Sequence, residues 1–296
     1  MADIKHMTYD VATNHEDLTD VLVIMGQMKT PMFSNLSKTK ASNVLHEWPM
    51  DSYAAASTSN AQIEGFDYAF GALTAATRGQ NYTQIFAKLG KVSRSQRASD
   101  PAGYKDEYAH QVEKALKEIG RDIEYALING TGAVSGATGT ARELKGILAW
   151  ITSNISTGTG TGRDITEAEL NGLLADIYAA GGDPDTILLA AKQRNKLGGL
   201  FSTNREFIDS IKTFTSAIAV YESNFGMLQV VTDTQMPNDV LAVLDTTTWK
   251  VPQLRPVAKE ETAKTADADG FAIVGELTLA SLAEGYNGKI TGLAYA

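Results

Sequence analysis

The sequence predicts an α+β fold with a mostly antiparallel sheet, carrying extensions that leave the compact body. Three observations point to it. One long run at helical spacing occupies residues 100 to 130, short strand-like runs follow beyond residue 180, and two segments before residue 93 are too poor in apolar side chains to fold alone.

Composition limits the rest. The chain has 296 residues, enough for two ordinary domains or one elaborated domain. Hydrophobic residues make up 43% and charged residues 21%, which is globular and not disordered. There is no cysteine, which rules out disulfides, thiolate metal sites and a cysteine nucleophile. No apolar run approaches the ~18 residues a membrane span needs. Residues 1 to 20 lack the apolar stretch of a secretory signal. A net charge of −9 argues against a broad nucleic-acid-binding surface. The expectation is a soluble, mildly acidic protein of a reducing compartment.

Residues 1–40 read as an arm. Leu18, Val21, Leu22, Ile24 and Met25 suggest a short helix within Glu16 to Met28, ended by Thr30-Pro31 because proline pushes its predecessor out of the helical region. Residues 43–92 read as a projecting hairpin. Val44, His46 and Trp48 alternate at its start and Ile85, Ala87 and Leu89 at its end, with a loose middle from Ala54 to Asn60. The spacing then predicts a helix over 101–129, with Asp100 as N-cap and Pro101 at the first position. Its apolar face is Tyr104, Tyr108, Val112, Leu116, Ile119, Ile123 and Leu127, while Lys114, Lys117 and Arg121 point away. Asn129-Gly130 stops it. Gly120 marks a bend, a close approach of another backbone, or a tolerated defect.

Thr131 to Thr140 and Ser156 to Gly162 read as flexible joints. Thr166-x-x-Glu169 is a capping box opening a helix with Leu170, Leu173, Leu174 and Ile177 on one side, stopped at Gly181-Gly182. Beyond it come an apolar run from Thr186 to Ala190, a basic helical piece from Lys192 to Leu197, and strand-like runs at 217–221, 228–231, 240–244, 251–257 and 271–279.

The search for chemistry yields no catalytic, cofactor-binding or metal-ligating residue. The four histidines, His6, His15, His46 and His110, form no metal motif and accompany no Gly-x-Ser-x-Gly elbow. The glycines from Gly158 to Gly162 have the wrong spacing for a dinucleotide loop, and Gly288-Lys289 lacks the upstream glycine of a phosphate loop. Asp183 and Asp185 read as turn residues, and the acids between Lys259 and Asp269 lack the spacing of a calcium loop. Lys88, Lys91, Arg94 and Arg97 cluster, either against an acidic neighbouring subunit or as a solvated face. An arm, a projection and an oversized helix without a catalytic constellation favour a protein built to contact copies of itself.

Thr30-Pro31-Met32-Phe33, Lys38-Thr39-Lys40-Ala41, His46-Glu47-Trp48-x-x-Asp51 and Ala61-x-x-Glu64-Gly65 resemble the amino-terminal part of a tailed-bacteriophage major capsid protein family. Asn81-Tyr82-Thr83-Gln84-Ile85-Phe86, the Asn129-Gly130 helix end and Gly275-Glu276-Leu277-Thr278-Leu279 continue the likeness. The resemblance implies the Hong Kong 97-type capsid fold: an N-terminal arm at 1–40, an extended E-loop at 41–92, and a P domain at 93–149 with a spine helix at 101–129. An A domain would occupy 150–270, and 271–296 would return to the P domain. It further implies pentamers and hexamers closing into an icosahedral head around double-stranded DNA, bound without sequence specificity. The product would be a virion shell assembled in the host cytoplasm, with no membrane and no cofactor. Scaffold, portal and decoration proteins are further partners it allows. Because the arm starts near Met1, no cleavable scaffold segment is expected, and no residue matches a Lys–Asn crosslink. Two alternatives belong to other classes: an encapsulin-type cellular shell, and an acid/base hydrolase.

Overall fold

The computed structural model describes residues 29–67, 71, 73, 75–99, 106–157, 162–200, 220–263 and 267–294. The expected helix at Glu16 to Met28, His6, His15 and the Asp100-Pro101 pair lie outside the described residues. Pro31 opens a short helix: α1 is Pro31–Asn35, with the proline where its missing N–H costs nothing. There follow β1 (Ser37–Lys40), β2 (Leu45–Met50), β3 (Thr77–Tyr82), β4 (Gln84–Ser93), α2 (Arg94–Ala98) and the long α3 (Glu107–Asn129). Next come β5 (Thr131–Val134), β6 (Glu143–Lys145), α4 (Ile147–Trp150), β7 (Asn154–Thr157), α5 (Glu167–Ala179), β8 (Thr186–Leu189) and α6 (Ala191–Leu200). The chain closes with β9 (Val220–Ser223), β10 (Gly226–Thr232), β11 (Leu241–Leu244), β12 (Trp249–Glu261), β13 (Ala268–Leu277), β14 (Ala280–Ser281) and β15 (Gly288–Thr291).

Two sheets organise the body. The first runs β1-β12-β13-β4, with β14 also on β12; the second runs β7-β15-β11-β8-β10-β9. Pairing is mostly antiparallel, with parallel exceptions at β1/β12, β8/β10 and β7/β15. This corrects three expectations. Residues 84–93 do not pair back along the hairpin; they pair with β13 from Gln84↔Leu277 to Ser93↔Ala268, while β2 pairs with β3. The sheets also divide the chain differently from a 150–270 domain followed by a 271–296 return, because β12 belongs to the first sheet and β15 to the second. Thr131 to Thr140 is a short hairpin instead of a free joint, with β5 paired to β6.

The long helix starts later than expected. Asp106 is extended and caps it, its side chain accepting from Tyr108 N at 3.0 Å. Ile119, Ile123 and Leu127 are buried as the 3.6-residue period requires. Leu116 is 44% exposed, and Ala115 takes the buried place beside it. The Glu113–Lys117 and Lys114–Glu118 pairs form at 2.5 and 3.9 Å on the solvent side. Gly130 does stop the helix, yet with a negative φ. A Cβ there would lie 2.5 Å from the Leu144 carbonyl oxygen and 2.9 Å from Gly146 N, so close backbone packing is the reason for glycine. Gly120 has no such reason. Outside its own turn, a Cβ would meet only the Thr30 methyl at 3.8 Å, an ordinary contact. Gly120→Ala is therefore expected to raise stability by about 1 kcal/mol in urea unfolding. An unchanged or lower midpoint would mean that glycine is required there.

Thr166 caps α5 as expected, accepting from Glu169 N at 3.3 Å. The reciprocal half of the box is absent, since the Glu169 carboxylate turns to Arg163 and Ser156. β8 and β11 are buried at every residue. Ile187, Leu189, Leu241 and Val243 pack with α5, while Leu188, Ala242 and Leu244 join the core around α3. Covered on both faces, these strands read as continuous apolar runs. Two glycines face aromatic rings across the strands: Gly79 opposite Trp48, and Gly90 opposite Phe271. An added Cβ at either would come within 2.5 Å of the ring.

Candidate assembly surfaces

The β2–β3 stem carries the most exposed part of the described chain. Residues 51–67 have no strand or helix, and every one is exposed. Tyr53, Ile63 and Leu73 show 104%, 79% and 97% of their surface, so nothing among the described residues covers them. Large apolar side chains grouped on a projection signal a partner surface. The segment also carries Asp51, Glu64 and Asp67 with no Lys or Arg before Arg78, which keeps the uncovered loop in solution.

The stem itself is firmly held. Asn81 is fully buried and uses all four of its hydrogen-bonding positions. Its Nδ2 donates to the Lys145 and Leu279 carbonyls at 3.1 and 2.7 Å, and its Oδ1 accepts from the Tyr82 and Lys145 amides at 3.0 and 2.9 Å. Trp48 donates to the Ser281 carbonyl at 2.9 Å and packs 5.7 Å from Trp150, over which Lys145 Nζ sits at 4.2 Å. Buried Glu276 ties the base together: Oε1 accepts from Thr83 Oγ1 and Arg142 at 2.7 Å each, and Oε2 accepts from Arg255 at 3.2 Å. An ordered stem thus presents an uncovered loop.

A second exposed apolar strip lies on the free edge strand β4. Ile85 and Leu89 are 50% and 75% exposed, whereas Phe86 and Val92 face the core. The expected alternation holds in period, with Phe86 and Val92 on the buried face and Ile85 and Leu89 on the exposed one. Beside the strip, an open groove of about 490 Å³ between β4 and α3 is lined by Lys88, Lys91, Gln96, Gln111, Lys114 and Glu118.

The basic cluster is satisfied largely within the chain. Lys88 meets Asp122 at 2.7 Å, Arg94 meets Asp267 at 3.5 Å, and Arg97 meets Asp269 at 2.8 Å. His46 lies on β2 beside Trp48, burial lowering its pKa, and His110 lies on α3. Among the described residues no three His, Asp or Glu side chains gather as a metal site, and no helix is long and apolar enough to cross a membrane. Sequence reasoning missed Asn81 and Glu276 as anchors, although both stood in the motifs that suggested a family. Their partners are distant in sequence, so only the motif could mark them.

Comparison with known proteins agrees with this arrangement. The family model of the SU10 major capsid protein matches residues 5–294. The major capsid protein of Escherichia phage Phieco32 is 22% identical, with 92% of each chain covered. Among solved structures, the capsid of cyanophage A-1(L) superposes with a TM-score of 0.73 at 15% identity, over 97% of this chain and 98% of that one. The capsid of a native GTA particle gives 0.70 at 11% identity over the same shares. An encapsulin of Synechococcus elongatus gives 0.59 at 10% identity, over 93% and 94%. The fold is the α+β capsid fold of the Hong Kong 97 type.

Proposed function

This chain belongs to the SU10 major capsid protein family, a structural and non-enzymatic family of the virion shell, and from that membership we propose how its parts build the head of a tailed phage. Copies associate as pentamers and hexamers that close into an icosahedral shell around double-stranded DNA. The segment preceding β2 serves as the N-terminal arm, and the β2–β3 stem with its loop is the E-loop. The first sheet with α3 as spine forms the P domain, and the second sheet with α5 forms the A domain. One observation carries the reading: Tyr53, Ile63 and Leu73 stand in water on a firmly anchored stem. A neighbouring copy covers them, and the exposed Ile85 and Leu89 of that copy's β4 offer an apolar landing strip.

The encapsulin alternative shares the fold but not the family match, and the hydrolase alternative gives way to membership of a structural, non-enzymatic capsid family. Sedimentation of the purified chain over a wide concentration range is expected to show capsomers and shells. A deletion of residues 54–74 should keep a folded body but form no closed shell. A species that remains at 31.7 kDa throughout overturns the reading. Closed shells formed by the loop deletion would remove the loop from the assembly.

A further inference from the structure

The helix α1 is capped from far away in the chain. Its N-cap, Thr30, makes no side-chain cap bond, and Pro31 has no N–H to offer. The next two donors both meet one side chain on α3. Met32 N donates to Glu124 Oε1 at 2.7 Å, and Phe33 N donates to Oε2 at 2.8 Å. Glu124 has no exposed surface, and neither does Met32, which enters the core beside it.

A second carboxyl group shares this dry site. Asp233, one residue beyond β10, is also fully buried and close enough to Glu124 to push its pKa up. Its Oδ1 accepts from Gln235 N at 2.8 Å, but its Oδ2 is sealed from water without any N–H donor. Ionised carboxylates only accept, so the pair can stay this close only while one of them holds a proton. The turn cannot easily swing away, because Asn129 Nδ2 donates to the Gln235 carbonyl at 2.7 Å.

We propose that Glu124 and Asp233 form a proton-held latch that fixes α1 to the long helix, and that loss of the shared proton frees α1. Among the described residues, Asp233 is the charged group that bears on Glu124. α1 contains no charged side chain, and Arg121 and Asp122 beside Glu124 on α3 are exposed, Asp122 pairing with Lys88. Burial, with Asp233 adding to it, pushes the Glu124 carboxyl up to about 8 against the two backbone N–H bonds. Once released, the group returns towards its ordinary value of 4.5. Opening therefore gives up a proton between these limits. It becomes about tenfold more favourable per pH unit through that window and levels off above it. The latch is tightest below the lower limit and loosens as pH rises.

Hydrogen exchange of the purified full chain, corrected for intrinsic rates, tests this across roughly pH 5.5 to 8.5. Protection of residues 30–36 should fall about tenfold per pH unit, while that of Thr186–Leu189 stays constant. Asp233→Asn supplies an N–H in place of the shared proton, so protection of 30–36 should persist without a pH slope. If that variant does not fold, Glu124→Gln gives the same readout: weaker protection, because one backbone donor loses its acceptor, and again no slope. Flat protection in the parent chain, or a slope retained in the folded variant, overturns the latch.

Discussion

Ile123→Asp is expected to yield little soluble protein and no shells. Ile123 has no exposed surface and lies in the middle of the face that α3 turns to the core, between Ile119 and Leu127. A carboxylate there must either lose its hydration or stay protonated, and either outcome costs several kcal/mol. That is a large part of the ~5–15 kcal/mol by which ordinary domains are stable. Lys117→Ala is the matched control. Its ammonium reaches only Glu113 on the solvent side, so yield and assembly should not change measurably. Normal shells from the Ile123 variant and none from the Lys117 variant would mean that the buried face has been assigned backwards.

Asn81→Ala should cost the stem about as dearly. The substitution leaves the carbonyls of Lys145 and Leu279 and the amides of Tyr82 and Lys145 without their side-chain partner around a fully buried position. At roughly 1–3 kcal/mol for each buried group left unsatisfied, and with partial relaxation, the loss should reach about 3 kcal/mol. Urea unfolding measures the loss, and particle yield shows whether an unanchored stem still assembles. An unchanged urea midpoint would remove Asn81 from its anchoring role.

The long helix was the most legible element because its period is local: Ile119, Ile123 and Leu127 declare their face within three turns. Even there, the small Ala115 won the buried place from Leu116, since packing room and not hydrophobicity decided. The strand at 84–93 was legible as a strand but not in its partner or its buried face. Its partner lies at 268–277, and Phe271 enters where Gly90 leaves room for its ring. The polar anchors were least legible. Asn81 bonds to a carbonyl 198 residues away and Glu124 to amides 91 and 92 residues away, and no spacing rule reaches so far. The projecting loop and the self-contact were legible in composition, because the segment before β4 is too poor in apolar side chains to fold alone, and the family resemblance added the capsid fold.

The glycine–aromatic pairs across the strands also bear on how this sequence can change over generations. At Gly79 the ring of Trp48 occupies the volume where any other side chain would begin, and at Gly90 the ring of Phe271 does so. A mutation at either glycine alone meets a clash, and a smaller residue at either aromatic alone opens a cavity. Each pair is thus a fitness valley that single substitutions cross only at a loss. Lineages should inherit the two members together or replace both, and an alignment of relatives should show 48 with 79, and 90 with 271, varying as units.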